Sequence, residues 1–365
     1  MGTVCNLEKI LEEIKSEKSG EAGVIHPIEQ YKILSFYQDA KKLLKGEMII
    51  PRFVSVWLSG HCNLKCSGCW WMRGHESDKT MMDLDKFKSM IDEISLLGVE
   101  SAEMSGGGES TLHPDFLEMC MYAKSKGMSV GVLTNGTVLS AEYLKAMECP
   151  IDTFSYIRVS LDAATSEIYK SIKRSDLWNR VTENITSLIE MRDDNKRPRI
   201  GTKFLLNSVN LTEIERMIIV AESIGVDYVH FKAEHSSENT LDDKQARYAD
   251  TLIRMLKKKH TIPIYGKVQK SKCDLKCFMS PVHAVIDHLG NVYVCCFFSN
   301  DDGLIGNIFD RSFMDVWFSG KHKEVIDNIT QDMCEQESGG GCRWFGYNDT
   351  MHKVIEEHEG DLEFI

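Results

Sequence analysis

The 365-residue chain has no long run of Lys and Arg, and its formal net charge is -12. A groove that neutralises a phosphate backbone needs clustered positive charge, so nucleic acid is not an expected partner. No apolar stretch reaches the length of a membrane span, and no secretory signal opens the chain. Those two absences point to a reducing cytoplasm, where disulfides do not persist. The twelve cysteines therefore read first as metal ligands. Length allows one large domain and a smaller one with ample core. Cys5, Cys120 and Cys149 stand alone in helix-like or turn surroundings and read as ordinary thiols.

Against these absences stands one dense motif. Cys62, Cys66 and Cys69 form a C-x3-C-x2-C run directly after the apolar stretch Phe53 to Leu58. Three thiolates on so short a loop can converge on one iron–sulfur cube, and a cube needs four ligands. One iron is then left open, and an open metal position is where an external molecule binds and reacts. A structural zinc or redox site is the plainer alternative. Zinc sites usually carry paired C-x2-C units, and zinc leaves the later Gly106-Gly107-Gly108-Glu109 unexplained.

With Ser105 to Glu109 and Ile157 to Asp162 following in order, the chain resembles the radical S-adenosylmethionine (radical SAM) enzymes over about residues 53–345. The resemblance implies that the open iron chelates the methionine end of S-adenosylmethionine. It further implies that an electron from the cluster cleaves that molecule to a 5′-deoxyadenosyl radical, which abstracts hydrogen from a substrate. A flavodoxin- or ferredoxin-type donor is the implied source of the electron. Two departures are visible: Ser110 replaces the proline that commonly follows the glutamate, and Gly68 stands where relatives usually have an aromatic, with Trp70 following. The Trp70-Trp71 pair reads as core or lid packing.

Short apolar runs at 53–58, 100–104, 128–134, 155–161, 200–206 and 226–232 alternate with helix-like segments at 83–97, 113–127, 140–148, 179–193 and 211–224. That alternation predicts βαβ units and a parallel sheet. The fold class expected is α/β, and the resemblance implies a partial (β/α)6 barrel over 51–240. Residues 1–50 form a helical N-terminal extension, with helical runs at 7–14 and 31–44 around a break at Ser19-Gly20.

Ligands sit at the carboxyl ends of the strands in such sheets. By resemblance, Gly107, Gly108 and Glu109 hold the methionine amine, since glycines admit a close ligand and a carboxylate accepts from an ammonium. Asn135, in the turn Thr134-Asn135-Gly136-Thr137, is a further candidate beside the cofactor, although the same sequence also suits a plain turn. Ser160 and Asp162 share a strand face, and the resemblance places Ser160 on the ribose or carboxylate with Asp162 in support. Lys173 or Arg174 matches the place of a carboxylate-binding arginine. Beyond the cofactor, Lys203, Lys232, Glu234 and His235 are candidates to bind substrate or accept its proton, with a salt-bridged rim as the alternative.

The tail, 241–365, reads as a second unit. A helix-like stretch at 241–259 leads to Cys273 and Cys277, then a hairpin over 286–294, Cys295-Cys296, Gly306-Asn307-Ile308, a Trp-containing helix, Cys334 and Cys342. This resembles the SPASM and Twitch domains, which hold auxiliary four-iron clusters. The reduced cysteine set matches the shorter Twitch type with one auxiliary [4Fe–4S] cluster. The resemblance offers Cys277, Cys295, Cys334 and Cys342 as its ligands, with Cys273 and Cys296 competing, and zinc is the alternative metal.

Radical abstraction suits unactivated C–H bonds, and a fully ligated second cluster can relay electrons. By similarity to the butirosin-pathway inosamine dehydrogenase, the expected substrate is a small polyol, aminocyclitol or sugar-like molecule that is oxidised or epimerised. The short N-terminal extension and the reduced cysteine set favour that over a peptide. The alternative is a maturase that oxidises, crosslinks or epimerises a peptide, as the anaerobic sulfatase-maturating enzymes do. A third reading is a non-catalytic iron–sulfur redox or sensor protein.

Overall fold

The computed structural model describes residues 36–71, 75, 77–193, 195–235, 238–269, 277–338, 342 and 344–356. The helical run at 7–14, the break at 19–20, Cys5 and Cys273 fall outside these residues. After helix α1 (Tyr37–Leu44) come β1 (Phe53–Val56), α2 (Leu84–Leu96), β2 (Ser101–Met104), α3 (Phe116–Ser125) and β3 (Ser129–Thr134). Next are α4 (Ala141–Ala146), β4 (Phe154–Ser160), α5 (Ser166–Lys173), α6 (Trp178–Glu190), β5 (Arg199–Leu206), α7 (Ile214–Ile224) and β6 (Tyr228–Ala233). α8 (Asp243–Lys259) and β7 (Ile264–Tyr265) follow, and the tail supplies β8 (His283–Ile286), β9 (Asn291–Tyr293) and β10 (Leu304–Asn307). Four short helices close it: α9 (Phe313–Trp317), α10 (Gly320–Asn328), α11 (Gln331–Glu337) and α12 (Phe345–Thr350).

The expected α/β alternation is present, and it builds one ten-stranded sheet in the order β10-β9-β8-β1-β2-β3-β4-β5-β6-β7. β1 to β7 pair in parallel, each with its neighbour in sequence. Alternation along the strands sorts the residues by face. Val54, Val56, Ala102, Met104, Val130, Val132, Ile157, Val159, Phe204 and Phe231 join the helices in the main core. The opposite face is polar: His283 Nε2 meets Ser55 Oγ at 2.9 Å, Ser55 donates to Glu103 at 3.2 Å, and Tyr156 donates to the same carboxylate. Tyr156 fits because Gly131 opposite leaves room; a Cβ there would fall 2.4 Å from its ring.

Two arrangements differ from the reading of the sequence. The helix at 241–259, expected to open the tail, packs against α7 as α8 and leads to β7, which pairs with β6. Second, the tail is continuous with the barrel sheet. β8 pairs in parallel with β1, register Phe53 with His283 through Val56 with Ile286, and β9 and β10 follow antiparallel. All of β8 is buried, as expected of a strand covered on both faces. No helix among the described residues is long and apolar enough to cross a membrane.

Candidate active site at the carboxyl ends of the strands

β1 runs directly into the cysteine loop, and three surrounding turns are hydrogen-bonded to it. On one side α5 docks end-on: Ser67 N–H donates to the Ile172 carbonyl at 2.9 Å. Thr165 caps this helix through Ile168 N–H. Its last turn brings Lys173 into the interior, where Lys173 forms a buried ion pair with Asp162. Asp162 also accepts from Leu205 N–H at 2.7 Å. The neighbouring Arg174 is exposed and left-handed at φ 52°. The two residues that sequence left equivalent thus have different places, Lys173 under the loop and Arg174 at the surface.

The thiols of Cys62, Cys66 and Cys69 are half-buried. Burial pushes the Cys62 thiol up to about 12, and Glu109, Cys66 and Cys69 add to that rise while the Leu64 N–H opposes it. Burial raises Cys66 as well, against the pull of the Lys173 ammonium. Leu64 N–H lies 3.5 Å and the Asn135 amide 3.9 Å from Cys62 Sγ.

The glycine turn is clipped to the same loop by backbone alone. Gly108 N–H donates to Ser59 O at 2.8 Å and Glu109 N–H to His61 O at 2.7 Å. Close approach explains the glycines: a Cβ on Gly108 would lie 2.0 Å from the His61 carbonyl oxygen. Gly106 has φ +60° against the Trp57 indole. The Glu109 carboxylate is buried and accepts from Thr111 N–H, the Thr111 and Thr134 hydroxyls and Asn135 N–H at 2.7–3.2 Å. It joins the glycine turn to the turn at 134–137. Asn135 and Thr137 in turn hold Asn63 by hydrogen bonds of 2.9 Å each.

At the ends of β5 and β6 an Asn-x-x-Asn turn organises the remaining carboxylates. Asn210 donates to the Asp162 and Leu205 carbonyls, both at 2.8 Å, and Asn207 donates to Glu234 Oε2 at 2.8 Å. Glu234 is buried, and among the described residues its Oε1 has no hydrogen-bond partner. The carboxylate rests against Gly68: a Cβ there would stand 2.3 Å from Glu234 Oε1. Glycine between Cys66 and Cys69 is what lets this carboxylate sit beneath the loop. Ser160 and Lys203 are register partners on β4 and β5, and both are half-buried. Lys232 and His235 are half-buried near the end of β6.

The loop's other flank meets the tail. Trp57, Trp71, Val285 and Tyr293 form a small core against which Cys62, Cys69 and Cys296 pack. Trp70 is 45% exposed beside it. Asp78 fits under Gly60 and faces His288 Nε2 of the hairpin turn at 3.2 Å. Burial would raise Asp78, but Thr80 and the His288 ring hold it below its usual value. Of the other tail thiols, Cys295 and Cys334 pack on the main core. Cys277 packs on a separate cluster with Phe278, Trp344 and Tyr347, and Cys342 is half-buried nearby in sequence. Cys277 thus borders a different core from Cys295 and Cys334.

The loop's chemistry fits an iron–sulfur cluster: its donors are all sulfur, and N–H groups already face Cys62 as a thiolate ligand requires. Among the described residues no three His, Cys, Asp or Glu side chains close on one point as a single ion needs. Sequence reading missed Asn63, Asn207, Asn210, Asp78 and His288. An Asn-x-x-Asn step just past a strand was the one available signal; the rest act through contacts distant in sequence.

Residues 58–194 match the model of the radical SAM superfamily. Residues 277–342 match that of the SPASM iron–sulfur cluster-binding domain. The mycofactocin maturase of Mycobacterium tuberculosis is 24% identical over 305 residues, covering 79% of this chain and 74% of that protein. The tungsten-containing aldehyde ferredoxin oxidoreductase cofactor-modifying protein of Pyrococcus furiosus is 26% identical over 180 residues, 48% of this chain and 49% of its own. In fold the chain is similar to Streptococcus suis SuiB bound to its precursor peptide SuiA. The TM-score is 0.64 at 13% identity, over 89% of this chain and 79% of that one.

Proposed function

Because this chain carries a radical SAM domain followed by an SPASM iron–sulfur domain, we propose that it is a radical SAM enzyme whose substrate is a peptide or protein segment. The modification proposed is oxidation, crosslinking or epimerisation at an unactivated C–H bond. One observation carries the choice of substrate: the match to a mycofactocin maturase extends over 79% of the chain. The match to the cofactor-modifying protein covers 48%. The expectation of a small polyol rested on the short stretch 1–50 and the reduced cysteine set, and the longer match outweighs both.

S-adenosylmethionine and its four-iron cluster supply the hydrogen-abstracting radical when bound at Cys62, Cys66 and Cys69. The chain's own residues position and enclose that chemistry. Glu109 and Asn135 tie the glycine turn and the turn at 134–137 to the loop. Asp162 and Lys173 hold α5 against its far side. Glu234 offers a buried oxygen able to accept from a donor at the carboxyl end of β6. The tail cysteines are proposed to hold one auxiliary cluster that takes up an electron during net oxidation.

The test is anaerobic turnover of the reconstituted protein with S-adenosylmethionine and reductant. Short peptides encoded beside the gene and a panel of aminocyclitols would be offered separately. Peptide-dependent 5′-deoxyadenosine with a matching change in peptide mass is expected. Stimulation by an aminocyclitol, with every peptide unchanged, would overturn the peptide reading.

A further inference from the structure

α5 brings more to the cysteine loop than its ion pair. Tyr169 and Lys173 are four residues apart on this helix and so share a face. Both are buried, Tyr169 at 0% exposure. The helix is fixed to the loop through the Ile172 carbonyl and Ser67 N–H, directly after Cys66. Yet among the described residues the Tyr169 hydroxyl has no hydrogen-bond partner. A buried hydroxyl without an acceptor is costly, and such a group calls for an explanation, a redox role or a bound water or ion among them.

The surroundings narrow down that partner. Among the titratable groups that act on the phenol are Lys173, Cys66, Asp162 and Cys62. Lys173 is a donor and cannot accept. Asp162 holds Leu205 N–H and Lys173 and does not come within hydrogen-bond reach of the hydroxyl. The acceptors that a cluster would newly bring to this place are its sulfurs, beside Cys62 and Cys66.

We infer that Tyr169 donates a hydrogen bond to a sulfur on this side of the loop once the cluster is in place, and is a positioning residue that raises the cluster's reduction potential. Hydrogen bonds to cluster sulfurs are an established lever on such potentials, because they stabilise the more negative reduced state. Lys173 adds charge from the same helix face, so α5 acts as a tuning element. This inference rests on a cluster at Cys62, Cys66 and Cys69, but not on the identity of the substrate.

The experiment is a redox titration of the reconstituted protein followed by electron paramagnetic resonance. The relevant signal is the one that changes shape on adding S-adenosylmethionine. Tyr169→Phe is expected to keep its iron content and move that midpoint to a more negative value. Fluorotyrosine placed at 169 keeps ring and shape but donates more strongly, and is expected to move the midpoint the other way. Should Tyr169→Phe fold poorly, the fluorotyrosine protein still gives the answer. Equal midpoints in wild type and fluorotyrosine protein, at equal iron content, overturn the inference and leave the proposed function standing. A wild type that takes up no iron overturns the cluster reading beneath it.

Discussion

At the scale of single residues, the site depends on side chains that are absent as much as on those present. Gly68→Ala would drive a methyl into the Glu234 carboxylate. Forced overpacking of this kind costs about 1–3 kcal/mol, so a lower Tm and a reduced iron content after reconstitution are expected. The double variant Gly68→Ala/Glu234→Ala removes the obstacle and should recover most of both. If the two losses simply add, the contact is not the reason for glycine. Glu109→Ala acts differently, since the carboxylate's donors lie at Thr111, Thr134 and Asn135 and not in the cysteine loop. Freeing Thr111, Thr134 and Asn135 loosens the glycine turn. S-adenosylmethionine affinity should fall about tenfold, the equivalent of roughly 1.4 kcal/mol, with iron content unchanged. Equilibrium dialysis on the reconstituted protein measures this, and an unchanged affinity would remove Glu109 from the site.

At the scale of elements, the tail's α9–α10 corner carries a pH-dependent contribution. His322 is fully buried beneath Trp317, with Nδ1 2.6 Å from the Trp317 carbonyl. Burial lowers it from 6.5 to about 4, the hydrogen bond to that carbonyl opposing. The folded form therefore excludes a proton that the unfolded chain accepts. Stability is fully present above pH 6.5 and lost as pH falls toward 4, by at most on the order of 3 kcal/mol. Tm should drop across this window, and His322→Gln should flatten the drop; an unaltered slope would assign it to other groups. The parallel strands and their crossover helices were legible from sequence because each writes its buried face in a local period. α5 was not, since it is eight residues long, largely polar, and follows the fourth strand where a loop reads equally well. Nor was the pairing of β8 with β1, because backbone hydrogen bonding at a sheet edge leaves no mark on side-chain period. Its one trace is the apolar run Ala284-Val285-Ile286, the pattern of a strand covered on both faces. The cysteine loop and glycine turn could be read from spacing alone, whereas the reason for Gly68 needed Glu234 beside it.

At the scale of the whole molecule, one strand joins the two cysteine sets. β1 leads into the cysteine loop at one end and pairs β8 of the tail along its edge. Asp78 and His288 add a contact from loop to hairpin turn. The tail holds Cys273, Cys277, Cys295, Cys296, Cys334 and Cys342, six thiols in all. A fully cysteine-ligated cube takes four, so six supply one such cluster and fall short of a second. The chain should then bind about eight irons after anaerobic reconstitution, and about four in the Cys62→Ala/Cys66→Ala/Cys69→Ala variant. S-adenosylmethionine cleavage should vanish in that variant while the tail's iron stays. Cys295→Ala should do the reverse, sparing cleavage and blocking product. About four irons in wild type, all lost in the variant, would leave the tail without a cluster. Net oxidation would then lack its internal electron acceptor, and a redox-neutral change such as epimerisation would fit the same site better.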